Sequence, residues 1–535
     1  MMIFQFITDM KPIRKMMALG LMLISSLLMN AQNIQDGMKA FYNENYKQAT
    51  DIFQKLVTAE PENTEYLYHY GFIQFRNGEY AAAKQSFTKG VSIKVTDPLN
   101  YVGLGKSFLQ EKNAEEAQKN FAIALKITKN KDPRILYLIA DAYLNNPNKD
   151  LGLALDYANK AALLGKKDYM AFVTLGDIYL EKNEGGPAVT NYEKATALNP
   201  TFAYAFTKVG LIWTRAKQYT QALDALTKAT TVDPAFCPGH RELSDLYYKS
   251  NQYDKAKEEQ LKYIECTENK EAARMRLTQI LFLGKDYEGT VTQATELVKT
   301  YPDNAIIYRM LGYSSYELAK YTEGLTYMET FFTKADPSKL IADDYEYYAK
   351  LLETQSKDSL AVVNYVKALE TDTSKAETLN LAIAQSYYKQ KKYALAAPYY
   401  QLVLNRKTNA LNYNYLAMCY YKMQQYAMAD TLYANISLLK PDAPISYLYR
   451  ARCNYFLDTA SATDLPKMFY EKYIEKATAQ AGGAKNNNDL SEAYRYLAFY
   501  YYKRKDMNKS KEYFKKVLEV DPKNEQAKKA LEQMK

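Results

Sequence analysis

Histidine is almost missing from this chain: two residues, His69 and His240, in 535. Cysteine occurs four times and tryptophan once. So few imidazoles and thiols leave little material for histidine-based metal sites, Ser-His-Asp triads or Cys-His nucleophile pairs. Glycine (20) and proline (16) are also sparse, against the turn-rich composition of all-β architectures and low-complexity linkers. Beyond residue 31 no apolar run approaches the ~20 residues of a membrane-spanning helix, and no five like charges stand in a row. The net charge of +9 is spread along the chain, so the basic stripe that a nucleic-acid partner needs is lacking. A chain that is 47% hydrophobic and 24% charged is neither disordered nor a polytopic membrane protein. Its one excess is tyrosine, with 52 copies.

Lys11, Arg14 and Lys15 precede an uncharged stretch at 16–29, MMALGLMLISSLLM, followed by Asn30-Ala31-Gln32. A basic start, a short apolar segment and a small residue form a secretory signal. Residues 1–31 are read as that signal, cleaved after Ala31. The first cysteine is Cys237, which argues against a lipid anchor. The mature chain is therefore expected to be exported, periplasmic or outer-membrane-associated, with no transmembrane segment.

From residue 37 onward the sequence repeats. A small residue inside an apolar helical stretch recurs at Gly37, Gly71, Gly105, Ala140, Gly176, Gly210, Ser244, Thr278, Gly312, Ala349, Ala384, Ala417, Ala451 and Ala498, mostly at intervals of 34. Numbering each unit so that this residue is position 8, a second small residue falls at position 20, as at Ala49, Ala83, Ala222 and Ala396. Tyrosine is common at position 17 (Tyr46, Tyr80, Tyr253, Tyr393) and an aromatic at position 24 (Phe53, Phe87, Phe121, Tyr192). Many units close on proline, as at Pro200, Pro234 and Pro441. Five positions of the unit hold 31 of the 52 tyrosines, so most of the excess is one packing requirement copied many times. The 3.6-residue periodicity, broken by pairs such as Asn77-Gly78, predicts a helix, a turn and a second helix per unit. Glycine inside a helix costs about 1 kcal/mol relative to alanine, so its recurrence predicts a neighbouring helix too close for a side chain.

This pattern resembles the tetratricopeptide repeat (TPR), best at Phe172-x2-Leu175-Gly176-x2-Tyr179, Ala188-x3-Tyr192 and Pro200. One unit, with an insertion at 145–150 and Lys160-Ala161-Ala162, resembles the Sel1-like variant. The resemblance implies an all-α fold, a right-handed superhelical α-solenoid of about fourteen helix-turn-helix units. The divisions read from the sequence are an array over 32–480 (repeats 1–13), a flexible Gly/Asn-rich loop at 481–490, and a last repeat with a capping helix at 491–535. It implies a non-catalytic protein–protein interaction scaffold, here of a bacterial cell envelope, binding partner proteins or peptides on its concave surface. A glycan- or peptidoglycan-binding envelope factor is the alternative. No cofactor or metal is expected.

In this family first-helix positions supply the inner face. Position 12 reads Tyr248, Phe282, Tyr316, Tyr388, Tyr421, Tyr455 and Tyr502, a candidate concave binding face that competes with simple packing between helices. The Lys/Asn pairs by which some members clamp a C-terminal carboxylate are replaced by Arg241 with Asp245 and Arg309 with Tyr313. Gly103-Leu-Gly105-Lys106-Ser107 lacks the first glycine of a P-loop, since Asn100 stands there. Cys237-x2-His240 has no second pair to complete a metal site. The acidic pairs Asp343-Asp344 and Glu258-Glu259 are read as solvated faces. Cys237 starts and Cys266 ends the two helices of repeat 7, where antiparallel packing brings the ends together; in an oxidising compartment these two form a possible disulfide. Cys419 and Cys453 occupy equivalent positions in neighbouring repeats and are read as buried apolar residues.

Overall fold

A computed structural model describes residues 33–458, 462–479 and 487–534. The segment read as an export signal lies outside these residues, as do 459–461 and most of the Gly/Asn-rich stretch. Among the described residues are twenty-nine α-helices, two short 3-10 turns and no strand. The helices pair as fourteen hairpins followed by a terminal helix, Glu525–Gln533. The all-α, fourteen-unit reading is what the chain adopts. It divides into two compact units, Met1–Leu297 and Val298–Lys535. The first holds hairpins 1–7 and most of hairpin 8; the second holds hairpins 9–14 and the terminal helix.

Among the described residues, eight first helices start on side-chain caps. Asn63 accepts from the backbone N–H groups of Glu65 and Tyr66, and Asp97, Asp168 and Asn304 act alike in their hairpins. Such caps satisfy N–H groups that the helix itself leaves without partners. Twelve of the fourteen first helices end in a left-handed residue at position 15: φ is +83° at Gly78, 60° at Lys112 and 58° at Lys217. In hairpin 2 the next residue, Glu79, donates its N–H to the Gln74 carbonyl at 2.9 Å, the six-residue closure of a Schellman turn. The second helix starts one residue later, at position 17.

Position 8 explains the recurring glycine. The close approach comes from the second helix of the same hairpin rather than from a neighbouring repeat. A Cβ built on Gly71 would lie 2.6 Å from the Phe87 ring, and one on Gly176 2.6 Å from Tyr192. Both rings stand at position 24 and are essentially buried. The position-20 alanines Ala49, Ala83, Ala222 and Ala396 are wholly buried, where a larger side chain would force the helices apart.

The loop expected over 481–490 is shorter than read. The first helix of hairpin 14 begins at Asn487 and runs to Lys503. Leu490 is buried, and Arg452 holds both Asp489 and Glu492 at 2.6 and 2.7 Å. These contacts outweigh the poor helix propensity of the asparagines.

The position-8 lock is testable at hairpin 5. The Tyr192 hydroxyl donates to Asp177 at 2.6 Å, so the ring has little freedom to yield. Gly176→Ala is expected to destabilise the N-terminal unit by about 1–3 kcal/mol, read as a lower urea midpoint. An unchanged midpoint would show that the ring moves aside.

Candidate functional site

The position-12 aromatics have a local partner. Tyr248 packs edge-on to Tyr253 (6.1 Å between centroids), Phe282 to Tyr287 (6.0 Å), Tyr388 to Tyr393 (5.1 Å) and Tyr421 to Tyr426 (5.6 Å), with Tyr316 tilted against Tyr321 at 5.7 Å. Each pair joins positions 12 and 17 across the turn of one hairpin. Phe41–Tyr46 and Phe75–Tyr80 repeat the arrangement in hairpins 1 and 2. Tyr248, Phe282, Tyr316, Tyr388 and Tyr421 are therefore half-buried turn supports. Tyr455 and Tyr502, at 53% and 47% exposure, are the row's open members.

In the C-terminal unit, hairpins 12–14 form a cleft of about 890 Å³ lined by Tyr421, Tyr455 and side chains the row did not include, among them Arg452, Phe456, Arg495, Tyr496 and Phe499. Tyr455 meets Tyr496 edge-on at 5.9 Å, and Phe456 stacks on Tyr426 at 4.6 Å. On the cleft floor Arg452 is fully engaged with Asp489 and Glu492, and the Tyr470 hydroxyl donates to Glu492 at 2.8 Å. Burial works to raise the Glu492 carboxyl, but Arg452 and Tyr470 hold it below the ordinary glutamate range. Arg504 lies over the Tyr500 ring at 3.9 Å and pairs with Asp464. Arg495 and Lys503 line the same cleft; neither closes an ion pair among the described residues, and Arg495 stands near enough to Glu492 to help hold that carboxyl down. Arg452 and Phe499 stand at position 9 and Arg495 at position 5. The signal that would have found them is the set of rows one and two helical turns from position 12.

Each acidic pair has one member withdrawn from solvent, while Glu258 stays exposed and Asp343 partly so. Asp344 is wholly buried, receiving Arg309 through two 2.7 Å bonds and the Tyr313 hydroxyl through a third. The clamp-like positions of hairpin 9 thus hold a carboxylate from hairpin 10. Asp343 pairs with Lys375. Glu259 is largely buried and meets His240 Nδ1 at 2.6 Å, while His240 Nε2 faces the Pro234 carbonyl at 2.9 Å. Burial alone would lower the His240 pKa; Glu259 and Pro234 outweigh it and raise it. Lys106, of the P-loop-like stretch, lies within the helix Pro98–Gln110 and binds Asp141 at 2.6 Å.

Cys237 and Cys266 come together with Cα atoms 5.7 Å apart and their sulfurs in bonding contact, a separation that a disulfide spans. Cys419 and Cys453 are buried and free, and burial pushes both thiols up to about 12. His69 is buried against Phe53, ring to ring at 5.3 Å. Among the described residues no cluster of His, Cys, Asp and Glu is arranged to hold a metal, and no helix is long and apolar enough to cross a membrane.

The class of protein is thus an all-α repeat scaffold whose distinctive side chains serve packing, internal ion pairs and one open cleft. Residues 37–92 and 491–524 match sequence models of the tetratricopeptide repeat. Among solved structures, the C-terminal part of a TPR repeat-containing protein from Cytophaga hutchinsonii is 32% identical; the match covers 48% of this chain and 98% of that one, with a TM-score of 0.41. A tetratricopeptide repeat protein from Parabacteroides merdae is 17% identical over 48% of this chain and 98% of its own, TM-score 0.32. YrrB, described as a TPR protein with an unusual peptide-binding site, is 20% identical over 37% of this chain and 97% of its own, TM-score 0.24. No curated protein matches the chain. The chain belongs to the tetratricopeptide repeat family, a family of protein–protein interaction scaffolds.

Two measurements test the buried groups. Arg309→Met leaves the Asp344 carboxylate buried without its cation and is expected to cost about 3–5 kcal/mol, while Arg309→Met with Asp344→Leu recovers most of it; urea unfolding of both variants decides. Burial, with Arg134 beside it, pushes the His69 imidazole down to about 3. The unfolded chain takes up that proton near 6.5, so His69 makes stability fall as pH drops from there towards 3. His69→Phe is expected to shrink the stability difference between pH 7 and pH 4 by on the order of 2 kcal/mol. An unchanged difference would place the acid sensitivity elsewhere.

Proposed function

We propose that the protein is an exported, non-catalytic scaffold of a bacterial cell envelope, and that the cleft of hairpins 12–14 takes a peptide combining acidic with aromatic or aliphatic side chains. One observation carries this reading: Tyr455, Phe456 and Phe499 are exposed rings around a concave surface, and Arg495 and Lys503 line it outside the internal ion pairs of the described residues. Exposed apolar clusters rimmed by charge are the usual form of a binding surface. The export reading is supported by the basic-then-apolar start of the sequence and by the Cys237–Cys266 pairing, which persists only where thiols oxidise. A non-catalytic role is supported by thiols held protonated and by histidines tied into the core. The exposed rings would also stack on sugars, and that favours the glycan reading as the second.

A fluorescent peptide library spanning acidic, basic and neutral sequences tests the proposal. Acidic peptides carrying an aromatic residue are expected to bind best, and to weaken at least tenfold with Tyr455→Ala or with Arg495→Ala combined with Lys503→Ala. Binding to purified sacculi with no peptide preference would overturn it in favour of the glycan reading.

A further inference from the structure

The N-terminal unit closes on itself. Hairpin 1 touches its sequence neighbour and also meets hairpins 6 and 7, about two hundred residues away. Tyr42 packs edge-on to Phe202 at 5.0 Å. Arg241 grips the Glu44 carboxylate with both terminal nitrogens. The second helix of hairpin 1, Tyr46–Ala59, has no cap from its own Asn45. Instead Glu268 accepts from the backbone N–H groups of Lys47 and Gln48 at 3.0 and 2.8 Å. A carboxylate at a helix N-terminus is the favourable placement for both hydrogen bonding and the helix dipole. The closed turn surrounds a cavity of about 600 Å³ walled by residues that include Phe72, Arg76, Tyr137, Asp177 and Lys208.

The two half-cystines lie in this seam. The Cys237 N–H donates to the Asn43 side chain at 3.3 Å, and the Cys266 carbonyl accepts from Asn45 Nδ2 at 3.1 Å. Glu268 follows Cys266 by two residues. The bridge therefore ties together the donor that receives Asn43, the acceptor that receives Asn45, and the start of the segment that caps the helix.

We propose that the Cys237–Cys266 bridge is a redox latch on the closure of the N-terminal unit. Oxidised, it holds the docking surface for hairpin 1; reduced, hairpin 1 releases and the cavity opens. A dithiol opens the latch by two exchanges. Its first thiolate attacks one bridge sulfur to form a mixed disulfide, and its second expels that cysteine. Both cysteines leave as thiols, each with a proton, and the reductant becomes a cyclic disulfide, so two electrons pass to the protein.

Hydrogen exchange on the full chain, before and after treatment with dithiothreitol in native buffer, reads the latch. Reduction is expected to speed exchange of segment 43–48 at least tenfold while the rest of the N-terminal unit keeps its protection. Coupling between closure and bridge must be reciprocal. Glu268→Ala, which leaves both cysteines in place, should therefore let the bridge be reduced at several-fold lower dithiothreitol. Unmoved exchange at 43–48 would overturn the latch, as would wild-type resistance to reduction in Glu268→Ala. Loss of protection throughout the unit would make the bridge a structural staple and overturn it too. Free thiols at both positions in oxidised protein would remove its basis.

Discussion

The contact that sets the hairpin spacing, in six of the fourteen hairpins, is a missing side chain at position 8 facing a larger one at position 24. Phe53, Phe87, Phe121 and Tyr192 fill the space that Gly37, Gly71, Gly105 and Gly176 leave open. The distance between the two helices of a hairpin is thereby set by one side chain instead of two. Interiors are packed near crystal density, so that distance then dictates the wholly buried alanine at position 20. Where alanine stands at position 8, as at Ala384 and Ala417, tyrosine still fills position 24, and the lock tolerates one methyl. The left-handed turn at position 15 brings position 17 back over position 12, and an aromatic pair bridges the reversal. Tyrosine abundance follows from this geometry, because it covers apolar area while its hydroxyl reaches solvent or a carboxylate.

The sequence periodicity reveals whatever a hairpin does within itself. Hairpin number, turn positions and buried small residues all recur every 34 residues, so fourteen weak signals add to one strong one. Contacts outside the hairpin are another matter. Asp344 looks like half of an exposed acidic pair because neighbouring charges usually face water. Its burial depends on Arg309 and Tyr313, 35 and 31 residues earlier. Glu268 as a cap on the helix starting at Tyr46 is further still from anything local. That contact depends on small rotations accumulated over six hairpins, which no single unit encodes. The cleft of hairpins 12–14 was half legible for the same reason. Tyr421 and Tyr455 belong to the expected row, while Arg452, Arg495 and Phe499 lie on rows that carry different residue types in each hairpin.

Cations on the first helices are mostly neutralised by an adjacent hairpin: Lys106 by Asp141, Arg276 by Asp245, Arg309 by Asp344, Arg452 by Asp489 and Glu492. A buried pair of this kind adds little net stability, but breaking it leaves a charge without solvent or partner. It therefore fixes the register between consecutive hairpins more than it strengthens them. The same pairing consumes the groups that other scaffolds of this shape leave free for a ligand carboxylate. Arg309 and Tyr313 already hold one. In the cleft of hairpins 12–14 the cations outside such ion pairs are Arg495 and Lys503, beside exposed rings, and on the proposed peptide-binding reading these are the ones a partner would use. Most of the first-helix cations are thus committed to holding the repeats in order, and the proposed peptide site lies where that commitment stops.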